Sequence, residues 1–124
     1  MNSESIRSKT RFPRYGDVYQ AALDPAVGSE IGKSRSVLVV SNDVGNEHSG
    51  TVTVLPITSQ AAGGTYAFEV RVPGGTGGLT ADSRIKANQI RTLDKSRLVS
   101  LRGSLPAEYL PLVERALKVH LNMR

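Results

Sequence analysis

The apolar residues of this chain fall into short aliphatic runs separated by turn residues, and that spacing constrains the fold more than any other feature. Val37-Leu38-Val39-Val40 is too short for a helix and rich in β-branched side chains, so it predicts a buried strand. The segment Asp17 to Leu23 precedes it and stops at Asp24-Pro25, a dipeptide that favours a turn. Thr51-Val52-Thr53-Val54-Leu55 resumes strand character, and Pro56 marks an edge or bend there. From Tyr66 to Val72 the alternation sets Tyr66, Phe68, Val70 and Val72 on one face and Ala67, Glu69 and Arg71 on the other. Ser83 to Thr92 reads as a polar strand, Asp94 to Arg97 as a tight turn, and Leu98 to Leu101 as a last short strand. Many short strands with turns between them predict a small barrel, mainly β.

Only the C-terminus carries helical spacing. Tyr109, Val113, Ala116, Leu117, His120 and Leu121 recur three and four residues apart, predicting a helix over about 107–121 that packs across the barrel. Pro111 then requires a start near Ala107 or a kink, because proline is tolerated only where first-turn donors have no intrahelical partner. Asn42 to Gly50 reads as a turn-rich connection, and Gly74-Gly75-Thr76-Gly77-Gly78 as a mobile loop. The 124 residues suit one domain, over 15–124. A basic, flexible arm is expected over 1–14, where Arg7, Lys9, Arg11 and Arg14 stand against Glu4. The net charge of +5 is thus concentrated in a tail that suits either phosphate contact or a solvated terminus.

Composition closes several function classes. The chain has no cysteine, which excludes disulfides, thiolate metal sites and cysteine nucleophiles. Two histidines, His48 and His120, are too few for a zinc site, so no metal and no cofactor is expected. His48 reads as a loop residue and His120 as a half-buried residue of the helix's apolar stripe. No apolar stretch approaches the roughly 18 residues of a membrane helix, and Met1 to Arg14 lacks the apolar core of a signal peptide; the cytoplasm is the expected location. Gly28-Ser29-Glu30-Ile31-Gly32-Lys33-Ser34 approaches a P-loop but has three residues between its glycines where four are needed, and a strand follows it.

One constellation remains. If the strands at Val37 to Val40 and Thr51 to Leu55 pair as a hairpin through Asn42 to Gly50, the start of the first and the end of the second lie together. Arg35 and Thr58 then stand side by side. A guanidinium fork beside hydroxyl donors suits a phosphate, since the fork matches two oxygens and a hydroxyl fills a third position.

These residues, in their order, resemble the MazF/PemK family of toxin endoribonucleases from type II toxin-antitoxin systems. The resemblance is carried by Gly16-Asp17-Val18-Tyr19, by Asp24-Pro25 with Gly28-Ser29-Glu30, and by Arg35 ahead of Val37 to Asp43. It continues through Ile57-Thr58-Ser59-Gln60, Asp82-Ser83 and Gln89 to Leu98, and covers about Gly16 to Leu121. It implies an SH3-like barrel with a C-terminal helix, a homodimer, and metal-independent cleavage of single-stranded RNA such as mRNA. By family pattern Arg35 and Thr58 are catalytic, while Ser29, Glu30, Ser59 and Gln89 lie in segments expected near RNA; Lys33, Gln60 and Lys86 are further substrate-binding candidates. A cognate antitoxin with a flexible acidic tail is the implied protein partner, with Lys33, Arg35 and Lys86 as counter-charges. Two positions depart from the pattern: Ser36 stands where proline commonly follows the arginine, and Asn88 where a carboxylate is expected beside the glutamine. The same barrel also serves CcdB-like toxins that act on a protein, and a silent RNA binder is a third reading.

Overall fold

β3 (Thr51–Thr58) organises the molecule, because three other strands pair with it. The computed structural model describes residues 11–59 and 63–124; the first ten residues of the expected arm, and Gln60, lie outside the described residues. In chain order the strands are β1 (Asp17–Ala22), β2 (Ser34–Val39), β3, β4 (Glu69–Val72), β5 (Ser83–Lys86), β6 (Arg91–Asp94) and β7 (Leu98–Ser104). Helix α1 (Asp43–His48) joins β2 to β3, and α2 (Leu110–His120) follows β7. The antiparallel order is β4-β5-β3-β2-β1-β7, with β6 also on β3.

The barrel expected from sequence is present as an open sheet, since β4 and β7 end the order without pairing to each other. Even so, Val70 and Val72 of β4 meet Val18 of β1 and Leu105 beyond β7 in one buried cluster, so the sheet wraps around it. Val113 and Ala116 of α2 close that cluster. A second cluster, on the other face of β1, β2 and β3, holds Ala21, Leu23, Val37, Val39, Val52, Val54 and Leu93.

Pro56 lies inside β3 and opposite Val37. Up to Val54 the far side of β3 pairs with β6, and from Ile57 onward it pairs with β5. A residue with no N–H thus occupies the point where β3 changes partner, where no ladder donor is required. The same change splits the single strand expected over Ser83 to Thr92: a 3₁₀ turn, Ala87–Gln89, carries the chain from one ladder to the next. Ala87 is buried and its N–H donates to the Phe68 carbonyl at 3.1 Å.

Other local expectations also change. The connection after β2 contains α1, capped by Asn42, whose side chain accepts from the Gly45 N–H at 2.8 Å. The C-terminal helix begins as a 3₁₀ turn, Ala107–Tyr109, and Pro111 falls in the first turn of α2. Tyr66 and Phe68 precede β4 and stack on each other with centroids 5.1 Å apart. Phe68 meets His120 edge-on at 6.3 Å, and His120 is exposed.

The glycine-rich loop is docked against β7. Gly77 and Gly78 have φ of 62° and 82°, and a Cβ on Gly78 would lie 2.2 Å from the Arg102 carbonyl oxygen. Both the backbone conformation and the space exclude a side chain there. Gly78→Ala is therefore expected to lower unfolding free energy by about 2–4 kcal/mol, combining backbone strain with overlap, as read by urea denaturation; a change under about 0.5 kcal/mol would refute the close docking.

Glu69, set by alternation on the face opposite Val70 and Val72, is buried as they are. Its carboxylate accepts from Lys86 Nζ and from the Tyr66 N–H, and Arg84 lies 3.7 Å away. Burial alone would push this carboxyl up, but the Lys86 bond, the Tyr66 N–H and the two cationic charges hold it below the usual carboxylate range. A carboxyl depressed in the folded state adds stability above its unfolded pKa and loses it as pH falls through the folded one. The stability advantage of the wild type over Glu69→Gln is expected to narrow as pH drops below the ordinary value of 4.5, measured by urea titrations at neutral and acid pH; a constant difference would remove Glu69 from the acid response.

Candidate active site

Arg35 and Thr58 stand at one end of the β2–β3 hairpin. The register runs Val39↔Val54, Leu38↔Leu55 and Val37↔Pro56, where the ladder ends; continuing its count by two residues aligns Arg35 with Thr58. Alternation gives them the face of Val37, Val39, Val52 and Val54, so both extend the second core beyond its apolar end. Each is partly exposed. No hydrogen bond joins them; Arg35 Nε donates to the Gly32 carbonyl at 3.4 Å. Among the described residues no carboxylate pairs with Arg35, which leaves the outer guanidinium edge available to an anion.

A loop from Leu23 to Lys33 leads into β2 at this end. Its root is closed by Leu23 N–H to the Lys33 carbonyl at 2.7 Å and by Lys33 N–H to Asp24 Oδ1 at 2.8 Å. Gly32 fits only because it has no side chain: a Cβ there would lie 2.4 Å from Asp24 Oδ1. Arg91 Nη1 donates to the Leu23 carbonyl at 2.9 Å, and Arg97 Nη1 to the Ala22 carbonyl at 3.2 Å and to that of Asp24. At the loop tip, Glu30 Oε1 accepts from the Val27 N–H at 2.8 Å.

The sequence-derived site residues divide accordingly. Gln89 holds the loop from below: its Oε1 accepts from the Ile31 N–H at 3.2 Å and its Nε2 donates to the Ser29 carbonyl at 3.4 Å. Ser29, Glu30 and Gln89 line a common cavity of about 450 Å³. Lys33 is exposed at the edge of the loop. Ser59 follows Thr58 and borders a different cavity. Lys86 is bound to Glu69 and is not among the residues that line the loop cavity, and Gln60 is outside the described residues. Asn88 and Arg91, which were not among the candidates, also line the loop cavity. Asn88 Oδ1 is buried without a hydrogen-bond partner. Only its departure from the family pattern pointed to it in the sequence.

The geometry also narrows the titratable groups. His48 ends α1, at the opposite end of the hairpin; seven residues of β3 at about 3.3 Å each put it roughly 20 Å from Thr58 within one chain. Glu30 is the one carboxylate lining the loop cavity.

Comparison with known proteins gives one family. The PemK-like, MazF-like toxins of type II toxin-antitoxin systems match residues 14–121. An endoribonuclease of Mycobacterium tuberculosis, MazF9, is 39% identical over 115 residues, covering 89% of this chain and 97% of its own. Endoribonuclease EndoA of Bacillus subtilis is 42% identical over 106 residues, covering 86% and 91%. A crystal structure of MazE-MazF from Deinococcus radiodurans superposes with a TM-score of 0.71 at 32% identity, covering 90% of this chain and 97% of that one.

The loop contacts carry a test of their own. Gln89→Ala is expected to speed hydrogen exchange at the Ile31 amide by about tenfold, the loss of one net hydrogen bond, while amides of β2 and β3 keep their protection; an unchanged Ile31 rate would show that the loop does not depend on this amide.

Proposed function

This chain belongs to the PemK-like, MazF-like toxins of type II toxin-antitoxin systems, and from that membership we propose that it is an endoribonuclease toxin cutting single-stranded RNA without a metal ion. The observation that supports the reading is that Arg35 and Thr58 lie at the same end of the β2–β3 hairpin, just past its last paired residues, with Arg35 bonded to Gly32 of the preceding loop. The 2′-oxygen attacks the adjacent phosphorus, an O2′–P bond forms, and the P–O5′ bond breaks. The products are a 2′,3′-cyclic phosphate and a 5′-OH.

Arg35 and Thr58 act as donors to the non-bridging oxygens, whose charge grows in the transition state. Arg35 is not the base, because a guanidinium stays protonated at any working pH. The proton of the 2′-hydroxyl goes to Glu30 or to water, and the leaving 5′-oxygen is protonated in turn. The loop over Ser29, Glu30 and Ile31, with Asn88 and Gln89 beneath it, holds the nucleotides beside the cut and sets sequence preference. The substrate in the cell is mRNA, cut in the cytoplasm, and the outcome is arrested translation and growth. The toxin works as a homodimer of the domain over 15–124, with the basic arm over 1–14 outside that domain. Its cognate antitoxin displaces RNA with an acidic tail laid against the exposed Lys33 and the free edge of Arg35.

The test is incubation of purified protein with mixed-sequence single-stranded RNA in EDTA, with the ends mapped by sequencing. Cuts at one short motif, bearing cyclic phosphate, are expected from the wild type. Arg35→Ala should fold and lose at least about 10³-fold in rate, and Thr58→Ala about 10²-fold, the scale of a lost transition-state donor. Full single-turnover activity in folded Arg35→Ala would sink the assignment.

A further inference from the structure

On the other side of the strand end that carries Arg35, a polar cavity of about 210 Å³ opens between β1, β2 and the segment Leu79 to Ala81. We propose that it is a phosphate subsite, which takes a non-scissile phosphate of the RNA strand whose neighbouring linkage is cut; the inference rests on the endoribonuclease reading above.

The lining has the chemistry of an anion site. Arg35 and Arg102 both border it, with Ser34, Ser36, Ser59 and Thr80, and no Asp or Glu does. Asp82, beside it in sequence, accepts from the Gly74 N–H at 2.8 Å. Ser34 Oγ already accepts from Gln20 Nε2 at 2.8 Å, so its own proton is free to donate. The hydroxyls of Ser36, Ser59 and Thr80 make no hydrogen bond to any described residue. Arg102 holds Gln20 Oε1 at 3.3 Å and the Gly78 carbonyl at 3.4 Å, two long bonds out of the five donors of a guanidinium. Two guanidinium groups and several undirected hydroxyls, with no competing carboxylate, match the oxygens of a phosphate diester.

The cavity is also preformed. Arg102 falls in the register shift between β1 and β7, and such an irregularity re-aims a side chain. The opposite wall, Leu79 to Ala81, continues from the glycine pair packed onto the Arg102 carbonyl. Arg35 borders both this cavity and the catalytic face, so a strand passing the end of β2 meets the two sites in succession.

The test uses an RNA of the mapped cleavage sequence with a 2′-deoxy nucleotide at the cut, so that it binds without reacting. Its affinity is measured by fluorescence anisotropy across a salt series, for wild type, Arg102→Gln and Thr80→Val with matched thermal melts. Arg102→Gln is expected to weaken binding about five- to tenfold, the scale of a partly exposed charged hydrogen bond, and to flatten the log–log salt slope by about 0.7. Replacing each linkage in turn by a neutral methylphosphonate should reveal one non-scissile position that weakens wild-type binding and leaves Arg102→Gln unaffected. Thr80→Val, which keeps the side-chain shape, should weaken binding through that same position. A wild type that cuts and binds while both variants keep its affinity and slope overturns the subsite alone. A wild type that neither cuts nor binds any RNA overturns the endoribonuclease reading and the subsite with it.

Discussion

Three facing pairs, Val37↔Pro56, Leu38↔Leu55 and Val39↔Val54, fix the geometry on which the remaining structure depends. They bury one set of side chains in each of two cores, on opposite faces of the same two strands. Because both faces are apolar in the middle of the hairpin, a slip of one residue would exchange the whole complement of each core. The register is therefore held from both sides, and Arg35 and Thr58, just past the apolar end, inherit that rigidity. Pro56 adds to it by ending one neighbouring ladder where the next begins.

The arginines show how a basic composition can mislead. Arg91, Arg97 and Arg102 each donate to main-chain carbonyls of neighbouring loops. Arg71 and Arg84 both reach the Gly63 carbonyl, at 2.8 and 2.9 Å. Much of the positive charge of the folded domain thus fastens loops, with a planar fork well shaped for carbonyl oxygens. Arg35, at the end of the hairpin, differs from Arg84 in having no carboxylate partner among the described residues.

Legibility in the sequence followed range. The hairpin could be read because its two strands are close in the chain, strongly β-branched and joined by a polar connection, and the facing of Arg35 and Thr58 follows from that alone. The C-terminal helix could be read from its periodicity. What escaped were features decided by distant partners. Alternation sets Glu69 on the face opposite Val70 and Val72, and it is buried there because Lys86 and Arg84 of the adjoining strand neutralise it. The glycine run looks free until β7 is placed beneath it. That both ends of the Gln89 amide bond the loop some sixty residues earlier could not be read from spacing. The break between β5 and β6 has no local signal, since it exists only because β3 offers two successive edges.

The loop leading into β2 is anchored in a way that bears on how such a protein diversifies. Its root is closed by main-chain atoms, Leu23 N–H to the Lys33 carbonyl, and steadied by arginines that grip the carbonyls of Ala22, Leu23 and Asp24. Contacts to main-chain atoms are indifferent to side-chain identity. The exposed side chains of Val27 and Ser29 at the tip can therefore be exchanged without loosening the root of the loop. On the proposed function, the outer side chains of the loop, Glu30 excepted, are free to vary while its anchored root keeps the end of the hairpin in place.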